Sequence, residues 1–206
     1  MHWINIVGYI GVVAVLAFLV LAILLHVLPT GYNPLRNSVG DYAVGKFGGL
    51  LTAALLALGI GTLALSLGLA SELGAHGGGK RVDVGVAFMV IFAVGMIVAA
   101  FVPPEAEGAE RTPRGRAHTA AVAIGFTAFT LATVAISPVF RYVAAWIKVA
   151  PLFPQIELLV VVLAILMLLA RIRALRAVYG IVERLFFASS LAWLLVAGLH
   201  LSQISR

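Results

Sequence analysis

Residues 4–28 read INIVGYIGVVAVLAFLVLAILLHVL, a run without one formally charged side chain, closed by Pro29. A helix of roughly 20 such residues crosses a hydrocarbon core about 30 Å thick. Five more apolar runs follow at about 47–71, 84–103, 117–137, 153–170 and 181–203, each ended by Pro, Gly or charge. The runs are continuous, without the period-two alternation of a barrel strand, and a helix satisfies its own backbone polar groups in lipid. The sequence therefore predicts an all-α, polytopic integral membrane protein. A six-helix bundle forms a single transmembrane domain over residues 1–206.

Composition agrees. Hydrophobic residues make up 63% of the chain and charged residues 11%, with a mean hydropathy of +1.12, whereas soluble domains carry about a quarter charged residues. The net charge of +6 resides in short connections between apolar runs, a pattern of membrane orientation and not of nucleic-acid binding. With no cysteine, disulfides, thiol nucleophiles and thiolate ligands are excluded. The Met1-His2-Trp3 start has no basic n-region, and no small-residue cleavage site closes the first run, so it reads as a retained helix.

The connections divide between two faces. Side B, holding the loops after the first, third and fifth runs, carries Arg36, Lys46, Arg111, Arg114, Arg116, Arg171, Arg173, Arg176 and Arg184. Side A carries Lys80, Arg81, Arg141, Lys148 and Arg206. This excess predicts side B as cytoplasmic, with both termini outside. Between Pro138 and Pro151, Phe140, Val143, Ala144 and Ile147 recur at helical spacing, with Arg141, Ala145 and Lys148 on another face. That predicts a short helix lying in the interface. Gly49, Ala53, Ala57 and Gly61 form a small-residue ladder that lets another backbone approach, inside the bundle or at a dimer seam.

Ionisable residues in or beside spans are costly, which makes them candidates for function. Most lie on side B: His26; Tyr32, Asn33, Asn37, Ser38, Asp41 and Tyr42 in the first loop; Glu105; His118; and Glu183 with Arg184 at the start of the last run. His76, Asp83, Glu157 and His200 scatter on side A; Trp193, about two turns before His200 on one face, suggests an aromatic belt. Asp41, Glu105 and His118 supply two carboxylates and an imidazole, a set able to bind a water-activating metal or to act as general acid and base. The alternative is structural: Asp41 caps helix 2, Glu105 pairs with nearby arginines, and His118 packs at the start of helix 4. His26 and His118 also raise a haem reading, since two imidazoles at matched depth can ligate iron. No cofactor is specified by these residues alone.

Three segments resemble a family of uncharacterised bacterial and archaeal membrane proteins, number 998 among the domains of unknown function. They are Gly31-Tyr32-Asn33-Pro34 with Arg36 to Tyr42 behind it, Phe101-Val102-Pro103-Pro104-Glu105 followed by Thr112, Gly115 and His118, and Gly180-Ile181-Val182-Glu183-Arg184. Gly40 stands where the family usually has Ser before the acid, Glu105 where it has Asp, and Glu183 where it has Gln. The resemblance implies a six-span fold, a site location on side B and a bacterial or archaeal plasma membrane; it implies no activity.

Two function classes follow. The first is a lipid-interacting or accessory component whose partners are membrane lipids and other membrane subunits. The second is a membrane-embedded lipid-active hydrolase or transferase with its site at the cytoplasmic face, among Asp41, Glu105 and His118. Transport would rest on Thr127, Thr130 and Thr133 alone. The side-B loops are predicted to be ordered and to fold over the helix ends, the first of them being dense in turn formers, and to bring Asp41, His118 and Glu183 or Arg184 together, with Arg184 neutralising Asp41 or Glu105.

Overall fold

A computed structural model describes residues 3–105, 109–110, 112–170 and 177–204. Six helices follow in order: α1 Trp3–Val27, α2 Gly48–Ala75, α3 Gly79–Phe101, α4 Pro113–Ile136, α5 Phe153–Leu169 and α6 Tyr179–Gln203. All six are long and apolar enough to span a membrane, with short 3-10 turns between them. Arg111, Arg171, Arg173, Arg176 and Arg206, on which the predicted charge asymmetry partly depends, lie outside the described residues.

Small residues set the packing. A Cβ on Gly8 of α1 would lie 2.6 Å from the Ser202 amide nitrogen of α6, and one on Gly59 of α2 would lie 2.9 Å from the Ala93 carbonyl of α3. In hydrocarbon, where lipid tails compete with side chains for contact, such backbone approach is a main source of helix association. The α2 ladder divides: Gly61 meets Ala14 of α1, while Gly49 and Ala53 are exposed. α6 is the most enclosed helix, with 61% of its most apolar stretch buried, and α5 the least, with 17%. Rings bridge α4 to α6: Phe126 lies 4.9 Å from Phe186, and Phe129 lies 6.0 Å from Trp193.

The side-A connection departs from the expected continuous interfacial helix. It winds as 3-10 segments Ser137–Tyr142, Ala144–Trp146 and Ala150–Leu152, with Val143 extended between the first two. Pro138 and Pro151 contribute no amide donors, and of the predicted apolar face Phe140 and Val143 turn into the protein while Ala144 is exposed. Phe140 stacks on Trp146 at 4.3 Å and packs on Phe153 at 4.0 Å, whereas Ile147 stays 57% exposed. The Trp193 expectation is likewise corrected. Its ring is fully buried and donates from Nε1 to Ser137 Oγ at 3.0 Å, so it belongs to this aromatic core and not to an interfacial belt.

Candidate functional site

The first loop is built from side chains that bond their own backbone. Asn33 Oδ1 accepts from the Leu35 amide and Asn37 Oδ1 from the Asn33 amide, each at 2.9 Å. Ser38 and Asp41 then bond reciprocally: the Asp41 carboxylate accepts from the Ser38 amide at 2.7 Å, and Ser38 Oγ accepts from the Asp41 amide at 3.2 Å. This is the logic of a capping box, here holding the 3-10 turn Gly40–Ala43. Asp41 therefore caps its own turn and not α2, whose first residue follows Phe47 without any side-chain cap.

Helix α6 fastens this loop. Arg184 donates from Nε to His26 Nε2 at 2.7 Å, from Nη1 to the carbonyls of Asn37 and Gly180 at 2.8 and 2.9 Å, and from Nη2 to the Tyr42 hydroxyl at 3.2 Å. Glu183, buried, accepts from the Val39 amide at 2.6 Å. Gly180 is required by the same contact, because a Cβ there would lie 2.6 Å from the Asn37 carbonyl oxygen. The buried Tyr42 ring is flanked by His26 and Tyr32, each at 5.4 Å. The expected convergence of the loop on α6 is thus present, but Arg184 serves neutral acceptors and forms no ion pair with Asp41 or Glu105 among the described residues.

Glu105 belongs to α4. Thr112 is the N-cap and Pro113 the first helical residue, a favourable pairing. The Glu105 carboxylate accepts from the Thr112 amide at 2.8 Å, the Gly115 amide at 3.1 Å and the Thr112 hydroxyl. These donors, the Thr112 hydroxyl first, hold its pKa down at about 2. A depressed carboxyl contributes stability above its unfolded value, and that contribution is lost as pH falls through the folded value. Glu105→Gln is therefore expected to be less stable than wild type at neutral pH, with the gap closing between the ordinary carboxyl range of 4.5 and about 2. Acid titration of both proteins in detergent checks this, and a gap independent of pH would contradict it.

His118 is buried, and its Nδ1 lies 2.6 Å from the Val102 carbonyl oxygen. A carbonyl only accepts, so in the neutral ring Nδ1 carries the proton and Nε2 presents a lone pair. Nε2 points toward Gly40: a Cβ built there would lie 3.0 Å from it and 3.5 Å from Ser38 Oγ. Nitrogen-15 spectra of the neutral ring are expected to report the Nδ1–H tautomer; an Nε2–H tautomer would contradict the assignment. His26 differs, because Nδ1 meets the Ala22 carbonyl at 2.6 Å and Nε2 accepts from Arg184. Neither His26 nitrogen is free for iron, and the haem reading loses one of its two ligands.

Between the loop and α2, α3, α4 and α6 lies a cavity of about 150 Å³. Ser38, Asp41, His118, Tyr179 and Glu183 give it a polar side; Leu51, Leu55, Met96, Val122, Phe126 and Phe187 give it an apolar one. Asp41 and His118 share this cavity, while Glu105 turns to the α4 N-terminus. Among the described residues no three His, Asp or Glu side chains are grouped to hold a metal ion. Tyr179 and the Val102 carbonyl are the additions that sequence reasoning missed. The tyrosine begins the last span and carries a signal in its phenol, whereas a backbone carbonyl carries none.

Thr127, Thr130 and Thr133 each donate to a carbonyl of their own helix, at 2.9, 2.9 and 2.8 Å, so they do not form a facing polar cluster.

The fold and site define a six-span membrane protein whose first loop closes an amphipathic cavity over the helix ends. The chain belongs to the family described as protein of unknown function DUF998, whose model matches residues 12–200. No curated protein and no solved structure matches it.

Proposed function

We propose that the protein binds an amphipathic lipid, holding its polar head group in the side-B cavity. The observation that carries this reading is the cavity's division into a polar side, with Ser38, Asp41, His118 and Glu183, and an apolar side formed by helix-borne Leu, Met and Phe. Ligand sites combine a few oriented polar groups with an apolar wall in this way. In this reading the site faces the cytoplasmic leaflet, with both termini outside, supported by the excess of Arg and Lys in the side-B connections of the sequence. Other membrane subunits are further partners in this reading, since most of the described chain falls in six helices long and apolar enough to span a membrane. The test is native mass spectrometry of protein extracted directly from membranes. One lipid retained through detergent stripping supports the reading, and a lipid-free protein would overturn it.

A second reading, a lipid-active hydrolase or transferase, is favoured by one observation: the Nε2 lone pair of His118 faces the cavity while Nδ1 is fixed by Val102. A base oriented through its other nitrogen is an arrangement used in general-base catalysis. Turnover of the retained lipid by wild type and its loss in His118→Gln would favour catalysis. Retention without turnover would favour binding alone.

A further inference from the structure

We infer that a hydrocarbon chain of the bound lipid enters laterally and lies in an adjoining cleft between α4 and α5; this rests on the head-group reading above. Consecutive helices α4 and α5 are packed together far less closely than α3 with α4 or α5 with α6. The opening between them is a cleft of about 270 Å³, lined on α4 by Ala123, Phe126, Thr127 and Leu131 and on α5 by Ala164 and Leu168. Leu131 and Leu168 are 43% and 67% exposed, so the cleft opens toward the bilayer.

Its chemistry admits hydrocarbon and little else. The Thr127 and Thr130 hydroxyls are turned to the Ala123 and Phe126 carbonyls, both at 2.9 Å, and leave methyl groups at the wall. Phe126 joins the two sites, lining both this cleft and the polar cavity. Its ring, packed on Phe186 at 4.9 Å and Phe187 at 5.1 Å, stands where the two spaces meet. Eight residues of helix separate His118 from Phe126, about 12 Å along the axis. A head group beside His118 therefore leaves its chain at the depth where the cleft begins. A head-group site without a lateral opening would have to admit its lipid through the docked loop.

The experiment uses the full chain in nanodiscs of phosphatidylethanolamine and phosphatidylglycerol, with two photoactivatable phosphatidylethanolamines, whose ammonium suits a cavity lined by Asp41 and Glu183. One carries its diazirine within an acyl chain, the other on the head group. The tail probe is expected to label 123–131 and 161–168, and the head probe 38–41 and 179–183. Ala164→Trp, filling the cleft, is expected to cut tail labelling there by about tenfold, equivalent to about 1.4 kcal/mol. Leu159→Trp, on the exposed lipid side of α5, is expected to leave it unchanged. The head probe reports in the same samples whether Ala164→Trp remains folded, and the wild-type map stands if it does not. Tail labels spread evenly over α1 and α5, with head labels still at the loop, would mean annular lipid and overturn this inference alone. Loss of localised labelling by both probes would overturn the head-group reading and the inference with it.

Discussion

Arg184→Met is expected to destabilise the protein by on the order of 3 kcal/mol and to free the first loop from α6, because hydrogen bonds to charged groups contribute about 1.5–3 kcal/mol each and are not additive. One guanidinium reaches His26, the Asn37 and Gly180 carbonyls and Tyr42, joining α1, the loop and α6. Methionine keeps much of the stem's packing and removes every donor. Arg184→Lys is expected to recover less than half of the loss. A compact ammonium on a flexible stem does not reproduce the planar fork that serves these acceptors. Thermal unfolding in detergent, with proteolysis of the loop followed in parallel, reads both effects. Melting and cleavage like those of wild type for Arg184→Met would contradict the account of loop docking.

Gly180→Val is expected to cost about 1–3 kcal/mol, as overpacked sites do. The atoms its Cβ would meet are the Asn37 oxygen at 2.6 Å, the Pro34 oxygen at 2.7 Å and the Leu35 carbonyl carbon at 2.9 Å. All are backbone, so no side chain can rotate away and the loop itself must shift. Asn37 is common to this contact and to Arg184. The double variant is therefore expected to lose less than the sum of the single losses, since both detach the same segment. Additive losses in a double-mutant cycle would mean that Gly180 and Arg184 hold different structures.

The six spans were legible because uninterrupted apolar runs of sufficient length admit few alternatives in a bilayer. The side-A connection was less legible: its period suits an interfacial helix, but stacking among Phe140, Trp146 and Phe153 depends on residues brought together only by the fold. Density of turn formers marked the first loop as one that bonds its own backbone and folds over the helix ends. What it could not supply was the partner of Arg184, because carbonyls, a phenol and an imidazole leave no mark of opposite charge. For Glu105 a signal existed in Thr112-Pro113, an N-cap followed by proline at the first helical position. Reading that pair as a helix start would have pointed the carboxylate at amides and not at arginines. His118 was recognised as a candidate, yet its useful nitrogen depends on the Val102 carbonyl, which no sequence pattern announces.

If the side-B cavity holds a lipid head group, a variant that fills the cavity must release the lipid. Gly40→Leu places a side chain where Cβ alone would lie 3.0 Å from His118 Nε2, whereas Gly49→Leu adds the same bulk where no atom lies within 4 Å. Native mass spectra of the two variants and wild type, extracted in parallel and matched for monodispersity, give the fraction carrying one lipid. Gly40→Leu is expected to lower the lipid's affinity by about tenfold or more, equivalent to about 1.4 kcal/mol, while Gly49→Leu retains it as wild type does. Equal retention by all three proteins would contradict a head group in that cavity.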